Sequence, residues 1–320
     1  MLNWILFCVV VVFWGCSFIA IRFSLEAIPP FAAAGLRVSI ATIFLAFLAV
    51  IQNIPFAGSK RVLGKLTYLG LINFAIPWGC LFWGEQFVPP AVASILNSTM
   101  PFFVFLFSWV LLPAERPTFW KLLGVGLGFV GILFVFVPTT QHFSVDRFGF
   151  YGMISITIMS ISYALGAVLM KSLHQPIDIR WNISLQGISA ALALFSLSFF
   201  VENRDWMFSL WTKPKASVSI FYLAVCSTAI AWIIFFRLIR VWNPLRASAI
   251  TYVVPFVAVL ADWLYFKKIP STEQMIGAFL IISAVVLINL ARRTPISSLP
   301  ASNKIPTIVT TVQTGEWGRG

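Results

Sequence analysis

The side chains in this sequence that could do chemistry are few, and most lie inside long apolar stretches. Arg37 and Asp262 are charges at membrane-like depth, where an ionised group pairs or faces a water-filled cavity. Arg37 could bind a carboxylate or tie backbone carbonyls together. Asp262, near the end of its apolar stretch, could take up a proton or simply be solvated at the interface. Asn73 and Asn97 are the amide candidates for binding a solute, with bridging between helices as the alternative role of Asn97. Pro101, just beyond Asn97 and Ser98, removes a backbone hydrogen bond, and Pro255 repeats the device, so a kink is expected at each. Exposed carbonyls at such a kink can hold a solute.

Aromatic faces form the second group. Trp78 lies four residues before Phe82, and Trp232 four before Phe236, so each pair shares a helix face. Trp14, Tyr163 and Tyr252 are further candidates to line a cavity. Such walls suit a flat or amphipathic ligand through stacking or cation–π contact. With 13 Trp and 32 Phe in the chain, packing is the competing role for all of them. Metal and covalent chemistry find no support. His142 and His174 lie outside the apolar stretches, and Cys8, Cys16, Cys80 and Cys226 have no histidine beside them. Gly-x4-Gly-Lys-[Ser/Thr] does not occur, so no nucleotide and no other cofactor is expected.

The elements that must position these residues follow from composition. Sixty per cent of the 320 residues are apolar and 10% charged, against about 25% charged in soluble domains. Apolar runs fall near 4–21, 31–51, 66–84, 91–112, 119–137, 149–170, 181–200, 217–236, 246–266 and 274–291. Each is long enough to cross ~30 Å of hydrocarbon. The expected fold is therefore an all-α integral membrane protein with ten transmembrane helices. The first run lacks a basic leader and a cleavage site and reads as a retained helix. The tail from 294 to 320 reads as disordered and cytoplasmic. The net charge of +12 fits membrane topology better than nucleic acid, since the basic residues sit between the apolar runs. With the N-terminus inside, fourteen Lys and Arg fall on the inner side and seven on the outer, which puts both termini in the cytoplasm.

An internal repeat carries the most information. A shift of 154 residues aligns Tyr68–Trp109 with Tyr222–Trp263 without a gap. The identities include Trp78/Trp232, Pro90/Pro244, Pro101/Pro255 and Trp109/Trp263, and Asn73 and Asn97 fall on Ser227 and Thr251. A shift of 149 pairs Trp14 with Tyr163 and Arg22 with Lys171. The expected units are 1–140 and 141–293, five helices each. An odd number of crossings sends the second copy through the membrane the other way. Inverted repeats let two halves exchange conformations about a shared central site, the plan of many secondary transporters.

The residues also resemble a known family. Phe13-Trp14-Gly15 with Ser17-Phe18, Pro30, Leu36-Arg37, the Ala-Ser-x6-Pro-Phe stretches at 93–102 and 247–256, and Glu115 after the fourth run are similar to the EamA-type ten-helix members of the drug/metabolite transporter superfamily. The resemblance implies an inner-membrane carrier with a central cavity lined by helices 1–4 and 6–9, and helices 5 and 10 set apart. It departs at Lys267-Lys268, where an acid is usual. The expected function is alternating-access export of small metabolites such as amino acids, with import of a nucleobase-type metabolite or drug efflux as alternatives. An intramembrane lipid-processing enzyme is the alternative of another class, and its clustered catalytic groups are missing from the apolar runs. The expected partners are the lipid bilayer and a small solute, with no nucleic acid. Gly124-x3-Gly128 and Gly131 offer a small-residue strip for a homodimer or for contact within the chain.

Overall fold

The computed structural model describes residues 2–56, 58–112, 118–140, 147–172, 177–203, 213–257 and 272–290. Asp262, Lys267-Lys268, Glu115 and the tail from 294 lie outside them. Every regular element among the described residues is helical, as a lipid-facing chain requires, because a helix satisfies its own backbone. The helices are α1 Leu2–Leu25, α2 Pro30–Ile51, α3 Lys60–Gly84, α4 Pro90–Asn97 continued by Met100–Leu111, and α5 Phe119–Thr140. Then come α6 Arg147–Ser172, α7 Ile179–Val201, α8 Pro214–Val241, α9 Pro244–Val257 and α10 Thr272–Leu290. Seven of the described helices are long and apolar enough to cross a membrane. The described parts of α5, α9 and α10 that are apolar enough are shorter.

Proline opens α2, α4, α8 and α9, a position where its missing N–H costs nothing. α1 buries Phe7, Val10, Phe18 and Ile21 while exposing Leu2, Ile5, Val12 and Ile19. Both faces are apolar, as for a helix with neighbours on one side and lipid on the other.

Polar contacts fix which helix ends meet. At one end of the bundle, Glu202 beyond α7 accepts from the amides of Phe31 (2.7 Å) and Ala32 (2.9 Å) in the first turn of α2. Lys215 in the first turn of α8 pairs there with Glu26 after α1, at 3.2 Å. Arg22 Nη1 near the end of α1 donates to the Glu85 carbonyl after α3, at 3.0 Å. At the other end, Lys171 Nζ in the last turn of α6 donates to the carbonyls of Ile239 (3.1 Å) and Arg240 (3.0 Å) near the end of α8. Trp181 Nε1 at the start of α7 donates there to Ile54 O after α2, at 3.0 Å.

α5 and α10 lie against each other, and the glycine strip is filled from within the chain. A Cβ on Gly124 would meet Ala284 O and Ile288, one on Gly128 the ring of Tyr252, and one on Gly131 the Gly277 carbonyl.

Among the described residues two helices carry a π-helical segment, Leu71–Ala75 in α3 and Val225–Ile230 in α8. Their first residues are 154 apart, the spacing of the sequence repeat. Each segment gives a carbonyl to a donor from the other half of the chain. Ser162 Oγ of α6 donates to Ile72 O at 2.7 Å, and Trp14 Nε1 of α1 to Ser227 O at 3.1 Å. α4 is interrupted by a turn at Ser98 and Thr99, just before Pro101. In α9 the turn falls at Ala249, upstream of Pro255. Pro255 leaves Thr251 O without its usual helical donor, and Ser98 Oγ takes that carbonyl at 2.7 Å, so the helix runs on through the proline.

Candidate functional site

A cavity of about 40 Å³ lies where α1, α2, α3, α4, α6, α8 and α9 converge. From the first half it is lined by Trp14, Ser17, Phe18, Arg37, Leu81, Asn97 and Met100. Met159, Tyr163, Trp232, Phe235 and Thr251 complete it from the second. Trp232 is the hub of its aromatic wall, with ring centroids 5.9 Å from Trp14, 5.6 Å from Tyr163 and 5.6 Å from Phe235.

Among the described residues Arg37 is the one charged side chain in this lining, and it is 2% exposed. Its Nε donates to Thr228 Oγ1 at 2.8 Å and its Nη2 to Ser227 Oγ at 3.3 Å, both in the π segment of α8. Its guanidinium carbon lies 4.4 Å from the centroid of the Trp78 ring. Trp78 itself stands behind the cavity wall, fully buried and stacked on Phe74 at 4.7 Å. The π segment thus turns two hydroxyls toward a guanidinium that an aromatic face supports from the other side.

Of the residues singled out in the sequence, Trp14, Arg37, Asn97, Tyr163, Trp232 and Thr251 come together at this cavity. Pro101 and Pro255 follow the lining residues Asn97 and Thr251. Tyr252 lies outside the lining, its hydroxyl donating to Val125 O of α5 at 3.1 Å. Asn73 belongs to a separate buried row. Its Nδ2 donates to Gln186 Oε1 at 2.7 Å, and Gln186 Nε2 donates to Asn182 Oδ1 at 2.6 Å. Asn182 and Gln186 are four apart and so share one face of α7, a spacing legible in the sequence but not singled out there. Ser17, Phe18, Leu81, Met100, Met159 and Phe235 also line the cavity, and no local signal separates them from the many other apolar residues.

The amide row predicts a stability effect. Gln186→Leu strips both Asn73 and Asn182 of their partner. It should cost about 1–3 kcal/mol, more than the ~0.6 typical of one interhelical hydrogen bond in a membrane. Reversible unfolding in mixed detergent micelles measures this. Asn73→Leu/Gln186→Leu should cost less than the sum of the single changes, because the two residues share one bond.

A second cavity of about 470 Å³ opens between α2, α3, α6 and α7, lined by Phe31, Leu71, Ile76, Trp83, Leu194 and Leu197 among others. Ser155 is the polar side chain of that lining, and its hydroxyl already donates to Cys80 O at 2.8 Å. The smaller cavity is the better candidate site, because it gathers a guanidinium, an amide, hydroxyls and aromatic faces from both halves.

Comparison with known proteins decides the family. The profile of the EamA-like transporter family matches residues 2–137 and again 150–290. The chain is a member of the EamA-like transporter family. As an EamA transporter it belongs to the drug/metabolite transporter superfamily, holds the family unit twice, and is a multi-pass membrane protein. The uncharacterized transporter YvbV of Bacillus subtilis is 25% identical over 285 residues, covering 87% of this chain and 88% of YvbV. The uncharacterized inner membrane transporter YedA of Escherichia coli K12 is 27% identical over 284 residues, covering 88% of each chain. A crystal structure at 16% identity superposes with a TM-score of 0.73 over 89% of this EamA chain and 96% of the other, a likeness of fold.

Proposed function

We propose that this EamA transporter is a secondary-active, alternating-access carrier. In this reading ten membrane helices form two inverted five-helix halves and export a small metabolite of amino-acid type. The observation that carries the reading is the composition of the central cavity, to which both halves contribute aromatic and polar side chains. The meeting of helix ends supports inversion. The end of α1 and the start of α2 lie at one end of the bundle, whereas the end of α6 and the start of α7 lie at the other. The likeness to YedA, an inner membrane transporter, and the excess of basic residues on one side favour an inner membrane with both termini inside.

The site has a recognisable chemistry. Arg37 Nη1 donates to no group among the described residues, so it is available to a carboxylate, and Asn97 and Thr251 offer neutral hydrogen bonds. Trp14, Tyr163 and Trp232 supply faces for an apolar or aromatic side chain. At about 40 Å³ the cavity has room for only a few water molecules, whereas small-molecule sites run to about 300–1,000 Å³. The cavity is smaller than such a solute, so loading requires its walls to move apart.

Vesicles containing the purified protein should exchange labelled solute from a panel of amino acids, nucleobases and cationic drugs. Trp232→Ala should lower exchange of the best solute about tenfold, the equivalent of roughly 1.4 kcal/mol of lost stacking. A folded protein that moves no member of the panel would defeat the proposal.

A further inference from the structure

At the end of α3 the chain buries a carboxyl group where its other half buries a hydrocarbon. Glu85 is 0% exposed, and among the described residues neither carboxylate oxygen has a hydrogen-bond partner. The repeat spacing of 154 pairs Glu85 with Ile239, which is 1% exposed. The two surroundings share one construction. Arg22 Nη1 reaches the Glu85 carbonyl at 3.0 Å, and Lys171 Nζ reaches the Ile239 carbonyl at 3.1 Å. Arg22 and Lys171 are themselves mates in the repeat. Isoleucine suits such a slot. An ionised carboxylate without a partner does not, since its burial costs far more than that of the neutral acid.

The groups facing Glu85 can be named. Among the described residues the charges that act on it are Arg22 of α1 and Arg37 of α2. α6 presents Gly152 and Ile156 to the end of α3 at Gly84, and neither titrates. Glu85 lies just beyond Gly84, the last residue of its span. Burial pushes its carboxyl well above the usual carboxylate range, and the two guanidinium groups pull the other way. One helical turn inward, Leu81 lines the central cavity, and so does Phe18, one turn before Arg22. Glu85 therefore lies between the cavity and the end of the bundle that the charge bias puts outside.

We propose that Glu85 is a proton-binding site that couples opening of this end of the carrier to external pH, a deepening of the function proposed above. In the closed form the carboxyl keeps its proton. Opening admits water, the proton passes from the carboxyl to that water, and the carboxylate that remains is stabilised by Arg22 and Arg37. Closing reverses the transfer, so one proton is taken up per closure. Acid on that side favours the closed form and alkali the open one. The second half, with Ile239 in the same slot, has no such response at the opposite end.

The test uses the full chain reconstituted in lipid and needs no solute. The infrared spectrum at neutral pH should contain the C=O band of a buried protonated carboxyl. That band should vanish in Glu85→Gln and move in Glu85→Asp. A band that Glu85→Gln leaves untouched, or no band in the parent, overturns the proposal. For coupling, Phe18→Cys in a background lacking the native cysteines is labelled from outside with a membrane-impermeant maleimide. Glu85→Ile, which copies the residue of the other half, is built in the same background and supplies the thiol's own pH dependence. With Glu85 present, the labelling rate relative to Glu85→Ile should rise with pH, by up to about tenfold per pH unit for a single linked proton. Parallel profiles overturn the coupling even if the infrared band is assigned. Because neither readout involves cargo, a failed solute panel counts against the carrier reading alone.

Discussion

Arg37→Met should leave this transporter folded, with a thermal midpoint in detergent close to that of the parent, and should weaken solute binding about a hundredfold. The first half of this result comes from offsetting terms. Each hydrogen bond from a charged donor contributes about 1.5–3 kcal/mol, and Arg37 makes such bonds to Thr228 and Ser227. Against them stands the cost of holding a guanidinium out of water, several kcal/mol, which methionine relieves while filling most of the volume. Thr228 and Ser227 can turn their hydroxyls back to helix carbonyls. The second half has nothing to offset it. Removing the guanidinium from the lining costs a solute held through a carboxylate, as proposed above, about 2.7 kcal/mol, near the low end of losses for a broken buried charge contact. Thermal melts and equilibrium binding on the same preparation separate the two. A collapse of the midpoint would assign Arg37 to the fold instead. Arg37→Lys should bind almost as poorly as Arg37→Met, because an ammonium cannot span Thr228 and Ser227 while keeping a face on Trp78.

Gly70→Ala should be among the most destabilising single changes in the protein, at about 3 kcal/mol or more, whereas Gly64→Ala on the same helix should be neutral or stabilising. A Cβ on Gly70 would run into Ser189 Oγ and the Gln186 carbonyl oxygen. The carbonyl is backbone, so α3 and α7 would have to separate, and overpacking of that kind costs about 1–3 kcal/mol or more. Ser189 cannot turn away freely, because its single O–H lies between two carbonyl acceptors, Thr67 O at 3.0 Å and Gln186 O at 2.9 Å. Gly64 is exposed, and its Cβ would meet nothing within 4 Å. Alanine there gains the ~0.8–1.0 kcal/mol by which it exceeds glycine as a helix former. Chemical denaturation in detergent measures both, and similar effects at the two positions would contradict the close approach of α3 to α7.

The helices were legible in the sequence because lipid demands long apolar runs, and within the described residues those runs begin and end near the observed helices. The convergence of Trp14, Arg37, Asn97, Tyr163, Trp232 and Thr251 was legible for a related reason. Polar and aromatic groups at membrane depth have few favourable places, and the repeat pairs Trp14 with Tyr163 and Asn97 with Thr251. Trp78 shows where that reasoning stops. Its mate Trp232 faces the cavity, yet Trp78 stacks behind Arg37, because the arginine exists only in the first half. Glu85 reads as a loop residue between Gly84 and Gln86, and only tertiary packing reveals its burial. Tyr252, beside Pro255, reads as a lining residue but is held away by Val125 of α5, a contact no local pattern encodes. The π segments have no composition of their own, since Leu71–Ala75 and Val225–Ile230 share only an alanine at one aligned position.

Those two segments also date one another. A π turn is a helix carrying one residue more than its ladder can hold, and it is rare. Here the surplus occurs at one and the same register in both family units. A single insertion inherited by both copies accounts for this more simply than two independent ones. The irregularity was then already present in the lone ancestral unit, and it is older than the doubling that gave this chain its two halves.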